Sequence, residues 1–200
     1  MNVGSIVLDG ILELPQGTKS VVIFAHGSGS GRFSPRNSYV AKVLRDASFG
    51  TLLFDLLTSE EDRIYQNRFN IELLAERLVA TTDWLLGQTN GASIGYFGAS
   101  TGAAAALQAS VKRPVVRAIV SRGGRPDLAS DYLDSVTAPT LLIVGGHDQE
   151  VLMLNEQALS RLTTRKDLVV IPGATHLFEE PGTLEKAARA AVAWFKEFLN

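Results

Sequence analysis

Ser93-Ile94-Gly95-Tyr96-Phe97-Gly98-Ala99-Ser100-Thr101-Gly102-Ala103-Ala104-Ala105-Ala106-Leu107 decides how the rest of the chain is read. An apolar run rich in β-formers enters a five-residue turn, and a run of small helix-forming residues leaves it. The turn, Gly98-Ala99-Ser100-Thr101-Gly102, has the spacing G-x-S-x-G. A serine on so sharp a strand-to-helix turn is forced into a strained backbone, and the residues two before and two after it crowd together. Glycine at both places relieves that crowding. The Ser100 hydroxyl then points away from the sheet, and the next amides lie at the positive end of a helix. The competing reading is a glycine-rich turn whose serine only caps the helix. The strand before and the Ala-rich helix after it favour a nucleophile.

The chain has 200 residues, enough for one domain with a core of its own. Residues are 46% hydrophobic and 20% charged, as in an ordinary globular protein. A formal charge of −2 supplies no basic footprint for nucleic acid and no polybasic patch for a membrane surface. With no cysteine, disulfides, thiolate chemistry and Cys-ligated zinc are excluded. No apolar run approaches the roughly 18 residues that cross a bilayer. Met1-Asn2-Val3-Gly4-Ser5 has neither the basic start nor the apolar core of a signal peptide. These features predict a soluble cytoplasmic protein.

Outward from the turn, strands alternate with helices. Ser5 to Leu14 alternates weakly about Asp9-Gly10 and predicts an edge hairpin. The apolar run Ser20–His26 reads as a strand covered on both faces and Thr51–Asp55 as the next buried strand, with further strands at Arg117–Ser121, Pro139–Gly146 and Leu168–Ile171. Helical spacing covers Ser38–Arg45 with Ser38 as cap, Ile71–Leu86, Met153–Leu162 and Leu184–Leu199. Leu56–Asn70 reads as a long polar loop. The expected fold is α/β, a mostly parallel central sheet with helices on both faces. Right-handed crossovers then gather all strand C-terminal ends on one edge, where open α/β sheets bind ligands.

The polar residues delivered to that edge are His26, Asp55, Ser100, Arg122, Asp148 and His176. His26-Gly27-Ser28-Gly29-Ser30-Gly31-Arg32 lacks both the Lys-Ser/Thr of a P-loop and the G-x-G-x-x-G of a dinucleotide site. It reads as an oxyanion loop or a flexible connector. A serine needs an imidazole to take its proton, and the imidazole needs a carboxylate to set its tautomer. In elbow-type hydrolases the chain order is nucleophile, acid, histidine, and His176 alone follows both Ser100 and a strand-end acid. His147 adjoins Asp148, but adjacent side chains on an extended segment point apart. His26 precedes Ser100 and reads as structural. Asp148, directly after a strand, is the preferred acid over Glu150, Asp127, Asp131 and Asp134, and Asp55 reads as a strand-end cap.

Gly98-Ala99-Ser100-Thr101-Gly102, Gly145-Gly146-His147-Asp148, Gly173-Ala174-Thr175-His176-Leu177-Phe178 and His26-Gly27-Ser28-Gly29 together resemble the α/β-hydrolase superfamily, specifically its dienelactone hydrolase-like branch. The resemblance spans essentially the whole chain. It implies Ser100 as nucleophile, Asp148 as acid, His176 as base, and an oxyanion hole from the Thr101 and Ser28 amides, with no metal or cofactor. Dienelactone hydrolases proper carry a cysteine nucleophile; a serine there suits ordinary esters. The chain has no insertion long enough for a helical lid, which suggests an open, shallow site for compact substrates. A carboxylic ester or lactone is the expected substrate, with a thioesterase, a small-acyl peptidase or a non-catalytic binding module as alternatives. Arg122 and Arg125, and also Arg32 and Arg36, are candidates to grip a substrate carboxylate bidentately, against surface ion pairs with Asp127, Asp131 or Glu60-Glu61-Asp62.

Overall fold

A computed structural model describes residues 1–4, 6–89 and 91–199. The chain begins with a small antiparallel pair, β1 (Asn2–Val3) and β2 (Ile6–Val7). It continues β3 (Gly10–Glu13), β4 (Ser20–Ala25), α1 (Pro35–Asp46), β5 (Gly50–Phe54), the one-turn α2 (Ser59–Asp62) and a 3-10 turn at Tyr65–Phe69. Then come α3 (Ile71–Gln88), β6 (Ser93–Ala99), α4 (Thr101–Lys112), β7 (Val116–Arg122) and a 3-10 stretch, Pro126–Ser135. β8 (Thr140–Gly145), α5 (Gln149–Arg161), β9 (Lys166–Ile171) and α6 (Thr183–Leu199) complete it.

Seven strands form one sheet in the order β3-β5-β4-β6-β7-β8-β9, parallel except for β3. The continuous apolar runs follow from burial on both faces. Val21, Ile23 and Ala25 of β4 join a core with Leu74 and Leu78 of α3 and Ala104–Ala106 of α4. Val22 and Phe24 face the other way, onto Val40 and Leu44 of α1 and Trp194 and Phe195 of α6. The period of two along one strand thus builds two cores. The small residues of α4 let it approach the sheet closely, and Thr101–Ser110 are all buried. Tyr96 of β6 is wholly buried, and its hydroxyl meets Thr82 Oγ1 of α3 at 2.6 Å, which satisfies a phenol that burial keeps protonated.

From β4 the chain crosses by α1 to β5 on one side, and every later strand lies on the other side of β4. The reversal falls between β4 and β6. The crevice beyond their C-terminal ends is the natural ligand site of such a sheet. The residues there are His26-Gly27-Ser28 and Ser100.

Four local expectations need correction. Gly10–Glu13 does not fold back on the preceding residues; it pairs antiparallel with β5, Gly10 opposite Phe54, because the edge of a large sheet offers a longer ladder. Ser5, where the expected hairpin began, lies outside the described residues. The cap of α1 is Ser34, which accepts from the Asn37 amide at 3.4 Å with Pro35 at the first helical position. α5 starts at Gln149 rather than Met153. Leu56–Asn70 is folded rather than open: Thr58 and Glu61 form a capping box, and Arg68 grips Asp62 through both side-chain oxygens. Among the described residues no helix is long and apolar enough to cross a membrane.

Candidate active site

Ser100 stands between β6 and α4 with φ 51° and ψ −122°, a conformation that costs a non-glycine residue roughly 1–3 kcal/mol. Its neighbours hold it there. Its amide donates to Arg122 O at 3.3 Å, and its carbonyl accepts from the Arg125 amide at 3.1 Å. A Cβ on Gly98 would lie 2.4 Å from Ala103 Cα, within the turn itself. A Cβ on Gly102 would lie 2.1 Å from Ala25 O and 2.5 Å from His26 O. The second glycine therefore serves the approach of α4 to β4, and the two glycines also crowd each other as the motif suggests, since a Cβ on Gly98 would lie 2.8 Å from Gly102 O.

His176 sits in the loop after β9, and Asp148 ends the segment after β8. His176 Nδ1 and Asp148 Oδ2 are 2.6 Å apart. Asp148 occupies the N-cap position of α5 but makes no capping bond there; its carboxylate serves the imidazole instead. A carboxylate on Nδ1 places the proton on that nitrogen and leaves Nε2 basic. Gly145 permits the approach of the two loops, since a Cβ there would lie 2.4 Å from Ala174 O. Glu180 fastens the histidine loop by accepting from Thr175 N at 3.1 Å and Thr175 Oγ1 at 2.6 Å. Ser100 and His176 line one cavity of about 230 Å³, with Gly27, Ser28, Ser30, Ser34, Arg36, Asn37 and Arg122 around them. A larger hollow of about 800 Å³ opens beside Leu14, Lys19 and Gln88. Lys19 is its one charged lining group among the described residues, so size alone does not make it the site.

The other candidates separate by their partners. His147 is exposed, and its amide donates to Ala174 O at 2.9 Å. Asp127 is held by Arg125 and Asp134 by Arg161, and Asp131 and Glu150 are exposed. Asp55 accepts from the Arg32 amide at 2.7 Å and pairs with the Arg32 guanidinium, so it caps the strand end and anchors the glycine loop. Arg125 does not reach the cavity: its Nε and Nη2 bind Asp127 at 2.9 and 2.8 Å, an ion pair available two residues along the chain. Arg122, at the end of a central strand, lines the cavity and is only 6% exposed.

The Ser28 amide donates to Thr101 Oγ1 at 2.9 Å. This bond ties the glycine loop to the residue after Ser100, and no spacing rule signals it. Asn37, in the first turn of α1, also faces the cavity without having been anticipated. Among the described residues no three His, Asp or Glu side chains converge as metal ligands.

His26 fixes the same loop. It accepts from the Leu56 amide at Nε2, 3.0 Å, and its Nδ1 lies 2.9 Å from Gly27 O, which requires the neutral ring with its proton on Nδ1. Burial holds its pKa below the usual 6.5. The unfolded chain therefore binds the proton first as pH falls. The stabilisation is complete above about pH 6.5 and is lost as the pH drops through that value toward the folded pKa. Melting temperatures from pH 7.5 to about 5.5 check this: the wild type is expected to lose stability across that window and His26→Gln to give a flatter curve. Parallel curves contradict it.

A family model described as PETase, PET hydrolase-like, matches residues 53–200. The chain belongs to this family. It is an α/β hydrolase of the dienelactone hydrolase-like kind. A dienelactone hydrolase from Anabaena variabilis is 55% identical, with a TM-score of 0.96 over 100% of this chain and 95% of that one. Est1E from Butyrivibrio proteoclasticus shares the fold at 17% identity, with a TM-score of 0.83 over 98% and 96% of the two chains. A Mycobacterium tuberculosis protein named putative phosphoribosyl transferase is 59% identical over 199 residues, covering 98% of this chain and 45% of that protein. The chain thus spans less than half the length of that curated relative.

Proposed function

We propose that the chain is a serine hydrolase that cleaves a small carboxylic ester or lactone through an acyl-serine intermediate. The observation that carries this is that a strained Ser100 and His176 line one cavity, with the His176 ring held through Nδ1 by Asp148 at 2.6 Å. Ser100 Oγ attacks the substrate carbonyl as His176 Nε2 takes its proton. Asp148 stabilises the imidazolium, and the tetrahedral intermediate collapses with the proton returned to the leaving alcohol. Water then attacks the acyl-serine by the same route and releases the acid.

The Thr101 amide at the start of α4 and the Ser28 amide are the oxyanion donors in this reading. An oxyanion shares the Ser28 N–H with the Thr101 hydroxyl or displaces it. The cavity, about 230 Å³, favours a compact acyl group. The transferase name belongs to a protein more than twice as long as the aligned segment, and the aligned segment carries the hydrolase fold.

4-Nitrophenyl acetate, butyrate and octanoate test the reading. Turnover is expected to be fastest on the short esters, and Asp148→Asn is expected to lower kcat about 10⁴-fold with little change in KM, because the imidazole loses its tautomer. An Asp148→Asn enzyme with wild-type kcat overturns the assignment of the acid.

A further inference from the structure

The turn Arg122–Arg125, between β7 and the 3-10 stretch, touches two of the three residues of the proposed triad. Arg122 O accepts from the Ser100 amide at 3.3 Å, and the Arg125 amide donates to Ser100 O at 3.1 Å, so the turn holds both ends of the Ser100 backbone. Gly123, at φ 51°, lies against His176: a Cβ there would be 3.2 Å from His176 O and 3.6 Å from the ring atoms Nδ1 and Cε1. No side chain fits at Gly124 either, since its Cβ would run into Ser121 Oγ and lie 2.7 Å from Ala103 Cβ of α4. The Gly123 amide ties the turn to the sheet by donating to Ile143 O of β8 at 2.7 Å. Gly124 O is taken by a side chain. Asn155 Nδ2 of α5 donates to it at 3.0 Å and to Val151 O, one helical turn back, at 2.7 Å. Among the described residues no other side chain is hydrogen-bonded to the backbone of this turn.

Asn155 is fully buried, on the inward face of α5 with Val151 and Ala158, seven residues after Asp148. The helix that starts at Asp148 therefore reaches, through one carboxamide, the turn against which Ser100 and His176 rest. That carboxamide is costly to bury, because its Oδ1 has no hydrogen-bond partner. An aliphatic side chain of the same size would leave no orphan acceptor of its own, so packing alone does not call for asparagine here. We propose that Asn155 is a positioning residue: by holding Gly124 O it fixes the turn beneath Ser100 and His176 and sets their geometry relative to Asp148. It touches no reacting atom and acts only through the backbone of the turn. The inference rests on the serine-hydrolase reading for its chemistry, while the bond from α5 to the turn stands apart from that reading. A misplacement of reacting groups by about 1 Å costs up to about 10²-fold in rate, and the loss of this bond acts on that scale.

Asn155→Leu and Asn155→Ser test it, and either suffices where the other fails to fold. Leucine keeps the volume and removes the donor. A serine hydroxyl bonds back to Val151 O of its own helix and is too short for Gly124 O. Ala158→Gly, on the same face of α5 and further along it, is the control for destabilising that helix. At a temperature where thermal melts show every variant folded, both Asn155 variants are expected to lower kcat on 4-nitrophenyl acetate roughly 10–100-fold, with KM within about threefold of the wild type. Ala158→Gly is expected to leave both constants unchanged. The chain has three histidines, so nuclear magnetic resonance of nitrogen-labelled histidine resolves each ring. The proton on His176 Nδ1 is expected to exchange with water at least about tenfold faster in the Asn155 variants than in Ala158→Gly. Asn155 variants with wild-type kcat, or with no more loss than Ala158→Gly, overturn the positioning role and leave the hydrolase reading standing. A wild-type chain that turns over no ester overturns the hydrolase reading. The proton exchange needs no turnover and then decides the positioning role: faster exchange keeps it, and unchanged exchange overturns it.

Discussion

Ser100→Ala is expected to lower kcat on 4-nitrophenyl acetate about 10⁶-fold, and Ser100→Gly to do the same while melting higher than Ser100→Ala. Both variants remove the hydroxyl, so both lose the acyl-enzyme route. They differ in the backbone. Alanine keeps a Cβ on a residue at φ 51° and ψ −122°, and glycine adopts that region without steric cost. The relief is worth about 1–3 kcal/mol, partly offset by the roughly 0.5–1 kcal/mol that a glycine adds to the freedom of the unfolded chain. For a chain of this size the remaining 1 kcal/mol or so corresponds to about 2–4 °C in Tm. Thermal melts and initial rates on the three proteins measure both quantities. A glycine variant that melts below the alanine variant contradicts stored strain at the turn; an alanine variant that turns over normally makes Ser100 a turn residue only.

Gly102→Ala is the second large effect, and it concerns folding. The added methyl would lie 2.1 Å from Ala25 O and 2.5 Å from His26 O, both backbone atoms of a central strand and its extension. No flexible side chain can yield, so α4 must move off β4 or the strand must bend. Either movement opens the core where α4 is buried from Thr101 to Ser110. The expected loss is about 4 kcal/mol or more, a large part of the 5–15 kcal/mol that typically holds a domain together. Gly87→Ala is the matched control. Its Cβ meets nothing within 4 Å inside α3, so it is expected to gain up to about 1 kcal/mol of helix propensity. Urea melts of the two variants separate the effects by sign, and a Gly102→Ala protein as stable as the wild type would falsify the close approach.

What the sequence made legible depended on how local the cause was. Doubly buried strands announce themselves as unbroken apolar runs, so the five inner parallel strands were readable, as were the shorter apolar run of the half-exposed edge strand β9 and the glycines of the elbow. His176 and Asp148 could be paired because chain order and strand ends brought both to one edge, and their 2.6 Å contact follows from that topology. The pairing of Gly10–Glu13 with β5 was hidden because a four-residue strand carries too little pattern to set its partner. Pro126–Ser135 is marked in the sequence by its aspartates, yet Ala129 and Leu133 within it are buried. Arg122 and Arg125 looked alike beside Gly123-Gly124. What separates them is that one ends a central strand and is enclosed by the fold, while the other reaches an aspartate two residues on. The Ser28–Thr101 bond joins residues 73 apart and belongs to no motif.

The measurement that goes straight to the central claim is rapid quenching of the enzyme with 4-nitrophenyl acetate, followed by mass spectrometry of the intact chain and of the peptide containing Ser100. One acetyl group on Ser100 is expected, formed within the first turnover and missing from Ser100→Ala. Steady release of nitrophenol with no acetyl on Ser100, or with the acetyl on another residue, contradicts the covalent serine mechanism.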